Sequence, residues 1–217
     1  MRNAFHDELD AIGASLLQMV GLVKAALSDA TTAILSADLA LAEKVIASDA
    51  AIDAIQHDLD ARTINLMARQ QPVASDLRTL VSSLRMSADL ELMGDLAHHV
   101  AKQARMRYPN CAVPAELTDT ILSMGRVANA IIEKLAVSME HRDTVRALEI
   151  ETDDDEMDSL HRKLIAALLD DNWSHGIEAA IDMTLIGRYY ERCADHAVSI
   201  ARRVYFSVTG EYVEISD

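Results

Sequence analysis

Residues 9–34 read LDAIGASLLQMVGLVKAALSDATTAI. Apolar residues recur in this stretch at alternating intervals of three and four, at Leu9, Ile12, Leu16, Met19, Val23, Ala26, Ala30 and Ala33. An α-helix has about 3.6 residues per turn, so these positions share one face. The stripe is widened by Val20, Leu27 and Ile34. This pattern is typical of a long helix that packs in a bundle.

Helical patterns continue through the rest of the chain. Five further helices are predicted, over residues 38–70, 75–107, 115–141, 143–170 and 174–208. Asp38 and Asp143 have a residue type that caps helix N-termini, and Ser75 or Asp76 is expected to cap the third helix. A proline shortly after the second helix ends it. Residues 108–114 contain two of the three prolines and form the clearest break in the chain.

Composition agrees with an all-α fold. Hydrophobic residues make up 50% of the 217 positions, aromatic residues only 4%, and there are 7 glycines and 3 prolines. Strands prefer β-branched and aromatic residues, whereas this chain is rich in Leu and Ala. The composition therefore excludes a β-sandwich and a doubly wound sheet.

Charge and cysteine content restrict the cellular compartment and the classes of binding partner. The net charge is −15, which excludes nucleic acid as a partner and argues against direct binding to anionic lipid. No apolar run approaches the ~18 residues that span a bilayer, and the N-terminus lacks the apolar core of a signal peptide. Cys111 and Cys193 show no paired spacing. We therefore expect a cytoplasmic protein that does not insert into a membrane, although protein partners can hold it at the inner face.

An internal repeat relates the two halves of the chain. An offset of 105 residues aligns Asp38 with Asp143, and, after a slip in the turn following the second helix, an offset of 100 aligns Ala97 with Ala197. Apolar stripes of any two bundle helices can be aligned, but acidic residues are matched here as well. We predict two tandem, pseudo-symmetric three-helix bundles over residues 1–107 and 116–217, with a linker over residues 108–115.

Carboxylate pairs with a spacing of four residues recur in both halves: Asp49 with Asp53, Glu91 with Asp95, Asp154 with Asp158, and Glu191 with Asp195. Residues four apart project from one helix face, and consecutive helices are expected to pack side by side, so each half gathers four carboxylates. A cation would stabilise these like charges, and ligand sets made only of oxygen favour hard ions such as Mg²⁺, Ca²⁺, Mn²⁺ or iron. Salt bridges to Lys or Arg on a neighbouring helix, or simple solvation of the carboxylates, are the alternatives.

Three further acidic pairs have no counterpart in the first half and are expected to be solvated: Glu149 with Asp153, Glu151 with Asp155, and Glu178 with Asp182. His98 and His161 each follow an Asp by three residues, which resembles half of a di-iron carboxylate site. Neither His recurs in the other half, so both are interpreted as surface or core residues. The chain shows no Ser/His/Asp set and no glycine-rich phosphate loop, and no enzyme is predicted. A ferritin-like metal store or di-metal oxidase, and a purely architectural adaptor, are the alternatives.

Three segments carry a resemblance to a known family: residues 69–78 (RQQPVASDLR), residues 89–95 (DLELMGD) with Ala97, and residues 190–197 (YERCADHA). They resemble the PhoU family of bacterial phosphate-signalling regulators. That family has a Gln-Pro-x-x-Ser-Asp-Leu-Arg segment entering its third helix and a Glu-Arg-x-Gly-Asp motif on its third and sixth helices. Here Leu92 replaces the arginine of the first motif, and Ala194 replaces the glycine of the second.

The resemblance implies a cytoplasmic, dimeric regulator that couples the ATPase subunit of the phosphate ABC transporter to a membrane sensor histidine kinase. Such proteins repress the phosphate-starvation response and limit phosphate uptake. In some members the acidic motifs bind metal clusters, which map onto the eight carboxylates above; iron, Mg, Mn, Ca and Zn are not distinguished. Candidate partner contacts are Gln71, Pro72, Asp76, Arg78 and Arg192. The segment over residues 71–78 has no equivalent in the other half, and a helix-entry turn with a satisfied cap is the alternative interpretation of it.

Overall fold

The structure, a computed structural model, describes residues 2–213, with side chains from residue 4 onward. These residues form six α-helices and one short 3-10 helix, with no strand in this part of the chain. The helices are α1 (Arg2–Ser36), α2 (Leu39–Gln70), α3 (Ser75–Arg107), α4 (Thr118–His141), α5 (Thr144–Leu168) and α6 (Gly176–Thr209), and the 3-10 helix is Ala115–Leu117. The prediction of an all-α fold with six helices is confirmed.

Helices α2 and α5 begin at the predicted aspartate caps. Asp38 Oδ1 accepts a hydrogen bond from the backbone N–H of Leu41 at 2.9 Å. Asp143 Oδ1 accepts two such bonds, from Val145 at 3.1 Å and from Arg146 at 3.0 Å. These bonds satisfy N–H groups that have no partner within the helix.

The predicted cap of α3 is wrong. Ala74 occupies the N-cap position with φ 50° and ψ −119°, and no side chain caps the helix. Asp76 lies instead in the first turn, where its negative charge interacts favourably with the helix dipole. Before this turn, α2 ends at Gln71, whose left-handed backbone (φ 45°) lets its N–H bond the carbonyl of Met67.

Two three-helix units share one core. Within each unit, α1–α3 or α4–α6, every helix packs against the other two. The units meet along α3 with α6 and along α1 with α4. Buried apolar residues of both units belong to one continuous cluster, which includes Leu27, Leu90, Ile131 and Tyr190. The pseudo-symmetric pair of bundles is thus one packed body.

Helices α3 and α6 run antiparallel along their contact. Near the C-terminal end of α3, Arg107 Nε donates to Asp182 Oδ2, close to the start of α6, at 2.5 Å. At the opposite end, the guanidinium group of Arg78 lies against Gly210, which ends α6 with φ 80°. Positive charge near the last carbonyls of a helix is favourable.

Helix α4 approaches α1 closely at Gly125. A Cβ atom there would lie 2.6 Å from Cγ2 of Thr31. The Thr31 hydroxyl is held in place by hydrogen bonds to the Leu27 carbonyl at 2.7 Å and to the Tyr190 phenol at 2.6 Å. Helices α1, α4 and α6 therefore meet at one buried point, which links the two units.

Helix α1 is long and apolar enough, by length and mean hydropathy alone, to cross a membrane over Ala4–Ser36. The expectation that no segment reaches this size does not hold for α1. Core helices of soluble proteins meet the same criterion, and Met19, Val23, Leu27 and Ile34 of α1 are buried. In this fold the apolar stripe packs against α2, α3 and α4.

Candidate metal centre

We call Asp49, Asp53, Glu91 and Asp95 the first acidic cluster. They lie on facing parts of α2 and α3, and all four side chains are half-buried. Burial raises the pKa of Glu91 above its usual value, and the negative charges of Asp95, Asp53 and Asp49 raise it further. The structure therefore brings together the four carboxylates that sequence spacing grouped in the first half.

Gly94 permits the close approach of α3 to α2 at this cluster. A Cβ atom on Gly94 would lie 2.8 Å from Cδ1 of Ile52 and 3.6 Å from Oδ1 of Asp49. In the second half the equivalent residue is Ala194, which is buried. The helix pairs that carry the two clusters therefore do not pack identically.

His98 joins the first acidic cluster, which the sequence prediction missed. Its Nδ1 lies 2.5 Å from Oδ2 of Asp49. Ligand atoms of Asp49, Asp95 and His98 all lie within 4.8 Å of one another. The other ring nitrogen, Nε2, is buried and has no hydrogen-bond partner within the described part of the protein. The available signal was the Asp95-x-x-His98 spacing, which places both residues on one face of α3.

We call Asp154, Asp158, Glu191 and Asp195 the second acidic cluster, on facing parts of α5 and α6. Burial raises the pKa of Asp154 to about 6, and the charges of Asp195, Asp158 and Glu191 add to this rise. Asp154 Oδ1 is buried and, among residues 2–213, finds no hydrogen-bond partner. Burial and then Asp195 also raise the pKa of Glu191, while Arg188 and His161 oppose the rise.

Salt bridges to Lys or Arg reach five of the six carboxylates in the other acidic pairs, which the sequence prediction had treated as solvated. Lys134 of α4 contacts Glu149 at 3.5 Å and Asp153 at 2.6 Å, both on α5. Arg107 contacts Glu178 and Asp182, each at 2.5 Å, and Asp182 is only 5% exposed. In the third pair Arg202 bridges Glu151, whereas Asp155 is exposed and makes no salt bridge among the described residues.

The two acidic clusters differ from these pairs in having few basic counterions. Across the described residues, the one Lys or Arg salt bridge to either cluster is that of Arg188 with Glu191. Seven of the eight side chains are half-buried, and Asp195 is exposed. In the second acidic cluster, Asp154 Oδ1 is a buried oxygen without a partner among the described residues, and a bound cation would satisfy such a group.

The oxygen donors fit hard cations, and His98 adds a nitrogen donor to the first acidic cluster. Asp49, Asp95 and His98 therefore have the spacing of a metal site, with ligand atoms within 4.8 Å of one another, whereas no three candidate ligands of the second acidic cluster approach so closely among the described residues, and that cluster fits a cation by its charge alone.

The predicted partner-contact residues lie in two separate parts of the structure, at the start of α3 and on α6. Gln71 is exposed at the turn before α3, whereas Pro72, Asp76 and Arg78 are half-buried. Arg192 is exposed on α6, about 27 Å along that helix from the end that Arg78 contacts, at 1.5 Å per residue. The structure therefore does not bring Arg192 to the segment over residues 71–78.

Fold and clusters together define a class of protein: a tandem repeat of a three-helix unit that carries one carboxylate cluster in each repeat. The PhoU domain model matches this chain twice, over residues 16–104 and over residues 121–204, once in each half. The chain therefore belongs to the PhoU family, and the resemblance drawn from its sequence motifs is confirmed.

Full-length relatives and solved structures agree with this assignment. The chain is 44% identical to the phosphate-specific transport system accessory protein PhoU homolog 2 of Mycobacterium tuberculosis, over 98% of this chain and 100% of the relative. It is also 44% identical to PhoU homolog 1 of Mycobacterium leprae, over 99% and 96% of the two chains. The crystal structure of the phosphate transport system regulatory protein PhoU from Streptococcus pneumoniae superposes with a TM-score of 0.87 at 29% identity, covering 97% of this chain and 100% of that one.

Proposed function

We propose that this protein regulates phosphate transport in the cytoplasm, as a metal-loaded docking protein that acts by binding and not by catalysis. Support for the transport role comes from the relatives, whose names place them as accessory proteins of a phosphate-specific transport system. The net charge of −15 disfavours nucleic acid as an alternative partner.

Within this role the protein couples the ATPase subunit of the transporter to a sensor histidine kinase and represses the phosphate-starvation response, as a homodimer. The two repeats give the chain two related faces whose exposed side chains differ. Leu92 is exposed on α3, and its counterpart on α6 is the exposed Arg192. Such a difference lets one repeat contact one partner while the other repeat contacts the second.

The observation that carries the metal proposal is the contrast between acidic groups. Lys134 and Arg107 each bridge both members of an unduplicated acidic pair, and Arg202 bridges Glu151 of the third. In the duplicated clusters, Glu191 is the one carboxylate with a Lys or Arg bridge among the residues described. A bound cation supplies the missing positive charge. The carboxylates from two helices hold it, which fixes the angle between those helices and gives a partner a defined surface.

Elemental analysis of gently purified protein tests the metal proposal directly, and we expect bound metal in both repeats. The double variant Asp154→Asn/Asp158→Asn removes two ligands of the second acidic cluster. We expect it to lose metal from that repeat and to bind the partner that docks there more weakly. Asp155→Asn/Glu156→Gln is the matched control, since it removes the same charge from exposed positions of the same helix.

Two outcomes would contradict the proposal. One is unchanged partner affinity in the folded Asp154→Asn/Asp158→Asn variant. The other is multiple turnover of dioxygen by the iron-loaded protein, which would favour a ferritin-like oxidase.

A further inference from the structure

A cavity of about 340 Å³ lies between the first halves of α1 and α3 and the C-terminal ends of α4 and α6. Its lining includes Leu16 of α1, Met86 of α3, Met139 of α4 and Val204 of α6, so both repeats contribute to it. None of the lining residues belongs to either acidic cluster. Cavities of this volume between the helices of a bundle are typical ligand sites. We call it the four-helix cavity.

The internal repeat relates the four-helix cavity to a second region, at the C-terminal ends of α1 and α3. Helices α1 and α4 end in the same way. Each is followed by a residue in the left-handed region, Ala37 with φ 53° and Arg142 with φ 52°, and these two residues are 105 positions apart. Arg142 lines the four-helix cavity. The end of α1 is therefore the counterpart of the cavity wall that α4 supplies.

The linker packs against this counterpart region. Sγ of Cys111 lies 3.4 Å from the carbonyl oxygen of Ile34 and 3.5 Å from that of Leu35, at the end of α1. The next two linker residues, Ala112 and Val113, are buried and belong to the shared core. A short apolar segment outside the regular helices therefore covers the end of α1.

No segment within residues 2–213 covers the four-helix cavity in this way. The counterparts of the two α1 residues that Cys111 contacts are Met139 and Glu140, and both line the cavity. Residues 210–213 follow α6 as the linker follows α3, but they are not among the lining residues. The repeat therefore has an apolar segment at one of two equivalent places and an open cavity at the other.

Small residues keep the four-helix cavity open. Ser207 lines it, and its counterpart is Arg107, whose long side chain reaches Asp182. Gly13 lines it as well, and its counterpart is Thr118. A Cβ atom placed on Gly13 would have no atom of another element within 4 Å. The cavity therefore has room for side chains that this chain does not supply.

Negative charge predominates among the charged residues that line the cavity. Asp10 and Glu140 contribute two carboxylates, and Arg142 contributes one guanidinium group. Among the described residues neither carboxylate forms a salt bridge with Lys or Arg, although His141 lies 3.9 Å from Glu140. The last carbonyl groups of α4 and α6 add negative partial charge. A positively charged group on the occupant is therefore favoured.

We propose that the four-helix cavity binds a short segment of a partner protein that presents small apolar side chains next to a Lys or Arg. The linker segment Cys111–Val113 is the internal template for the apolar part, and the two carboxylates account for the basic residue. This site adds a partner contact to the docking role proposed above and needs no metal. Because four helices line it, a bound segment contacts both repeats at once.

The probe is the blocked peptide acetyl-Lys-Cys-Ala-Val-Pro-amide, which places a lysine before the sequence of residues 111–114. It is titrated into the full-length protein in reducing buffer with a chelator. We expect the ¹³C-labelled methyl groups of Met86 and Met139, which line the cavity, to shift in NMR spectra, whereas that of Met157, buried elsewhere, does not. A peptide with glutamine in place of lysine should bind about twofold to fivefold more weakly, as expected for an exposed charge pair.

Gly13→Leu tests the cavity itself, because the new side chain would fill it. We expect this variant to bind the peptide at least about tenfold more weakly. Ser207→Met fills the cavity from α6 and should weaken binding in the same way, which covers the case that Gly13→Leu does not fold. Gly21→Leu is the matched control: a Cβ atom there also has no atom of another element within 4 Å, but Gly21 does not line the cavity. It should bind the peptide as the wild-type protein does.

Absence of shifts at Met86 and Met139 in the folded wild-type protein would overturn the proposal. So would equal affinity of the two cavity-filling variants and Gly21→Leu. Equal affinity for the lysine and glutamine peptides would overturn the assignment of a basic residue to the occupant. Because the titration is done in a chelator, its failure would leave the metal-dependent docking intact, and failure of that docking would not change this result.

Discussion

At the scale of single residues, Asp154 connects the electrostatics of the second acidic cluster to stability. Its pKa is about 6 in the folded chain, against an ordinary value of 3.8. The folded chain therefore binds more protons than the unfolded chain between these pH values. It follows that, without metal, the free energy of unfolding contributed by Asp154 falls as pH rises through this window and stays low at pH 7.

We predict that Asp154→Asn stabilises the metal-free protein at neutral pH. The variant removes a partly buried negative charge, and we expect a gain on the order of 1 kcal/mol at pH 7 that disappears toward pH 4, after allowance for solvent screening. Urea unfolding in a chelator at several pH values measures it. Asp155→Asn, at an exposed neighbour, is the control and should show little change. A destabilised Asp154→Asn variant at pH 7 would contradict the prediction.

Residue spacing was enough to predict the grouping of carboxylates but not their counterions. Residues four apart on one helix share a face whatever the tertiary fold, so the eight acids could be grouped from the sequence. Lys134 and Arg107 reach their acidic partners across helices, and no spacing rule reports such contacts. The spacing of His98 from Asp95 was visible in the sequence, but its contact with Asp49 joins α3 to α2 and could not be read from that spacing.

At the scale of helices, Gly125 sets the distance between α1 and α4. We predict that Gly125→Ala destabilises the protein by about 1–3 kcal/mol, because its new methyl group would meet Thr31, whose hydroxyl is fixed by two hydrogen bonds. Chemical denaturation followed by circular dichroism measures the change.

Gly13→Ala is the matched control for this prediction. Gly13 also lies within a helix, but no atom of another element lies within 4 Å of a Cβ placed there. Alanine has the higher helix propensity, so we expect Gly13→Ala to stabilise the fold by about 0.5–1 kcal/mol. Equal effects of the two substitutions would show that α1 and α4 are not packed as described.

The start of a helix was predictable from the sequence where a side chain caps it. It was not predictable where the helix begins at an unusual backbone conformation without a side-chain cap. Asp38 and Asp143 bond the first N–H groups of α2 and α5, which is a local property of sequence. Helix α3 begins at Ala74, whose positive φ is unusual for a residue other than glycine. Arg78, which packs against the end of α6, ties this turn to the rest of the fold.

At the scale of the whole molecule, the shared core couples the two repeats. We predict that Mn²⁺ at about 100 times its dissociation constant raises the free energy of unfolding by about 2.7 kcal/mol for each site. Because α3 packs on α6 and α1 packs on α4, the gain should appear in one cooperative transition. Calorimetry measures this, and two separate transitions would contradict it.

The variant Asp154→Asn/Asp158→Asn provides the control for this prediction. With Mn²⁺ bound, it should lose the increase in the free energy of unfolding that comes from the second acidic cluster and keep the increase that comes from the first. Amide hydrogen exchange should show the remaining protection in both repeats. Protection confined to α1–α3 would mean that the repeats unfold independently.

Covalent linkage of the two repeats has a consequence for how such a protein can diverge. In an assembly of two identical chains, every mutation is imposed on both sides of the symmetry axis at once. Here Leu92 of the first repeat corresponds to Arg192 of the second, and His98 corresponds to Val198, so the two repeats carry different side chains at equivalent positions. Substitution can therefore change the surface of one repeat and leave the equivalent surface of the other unchanged.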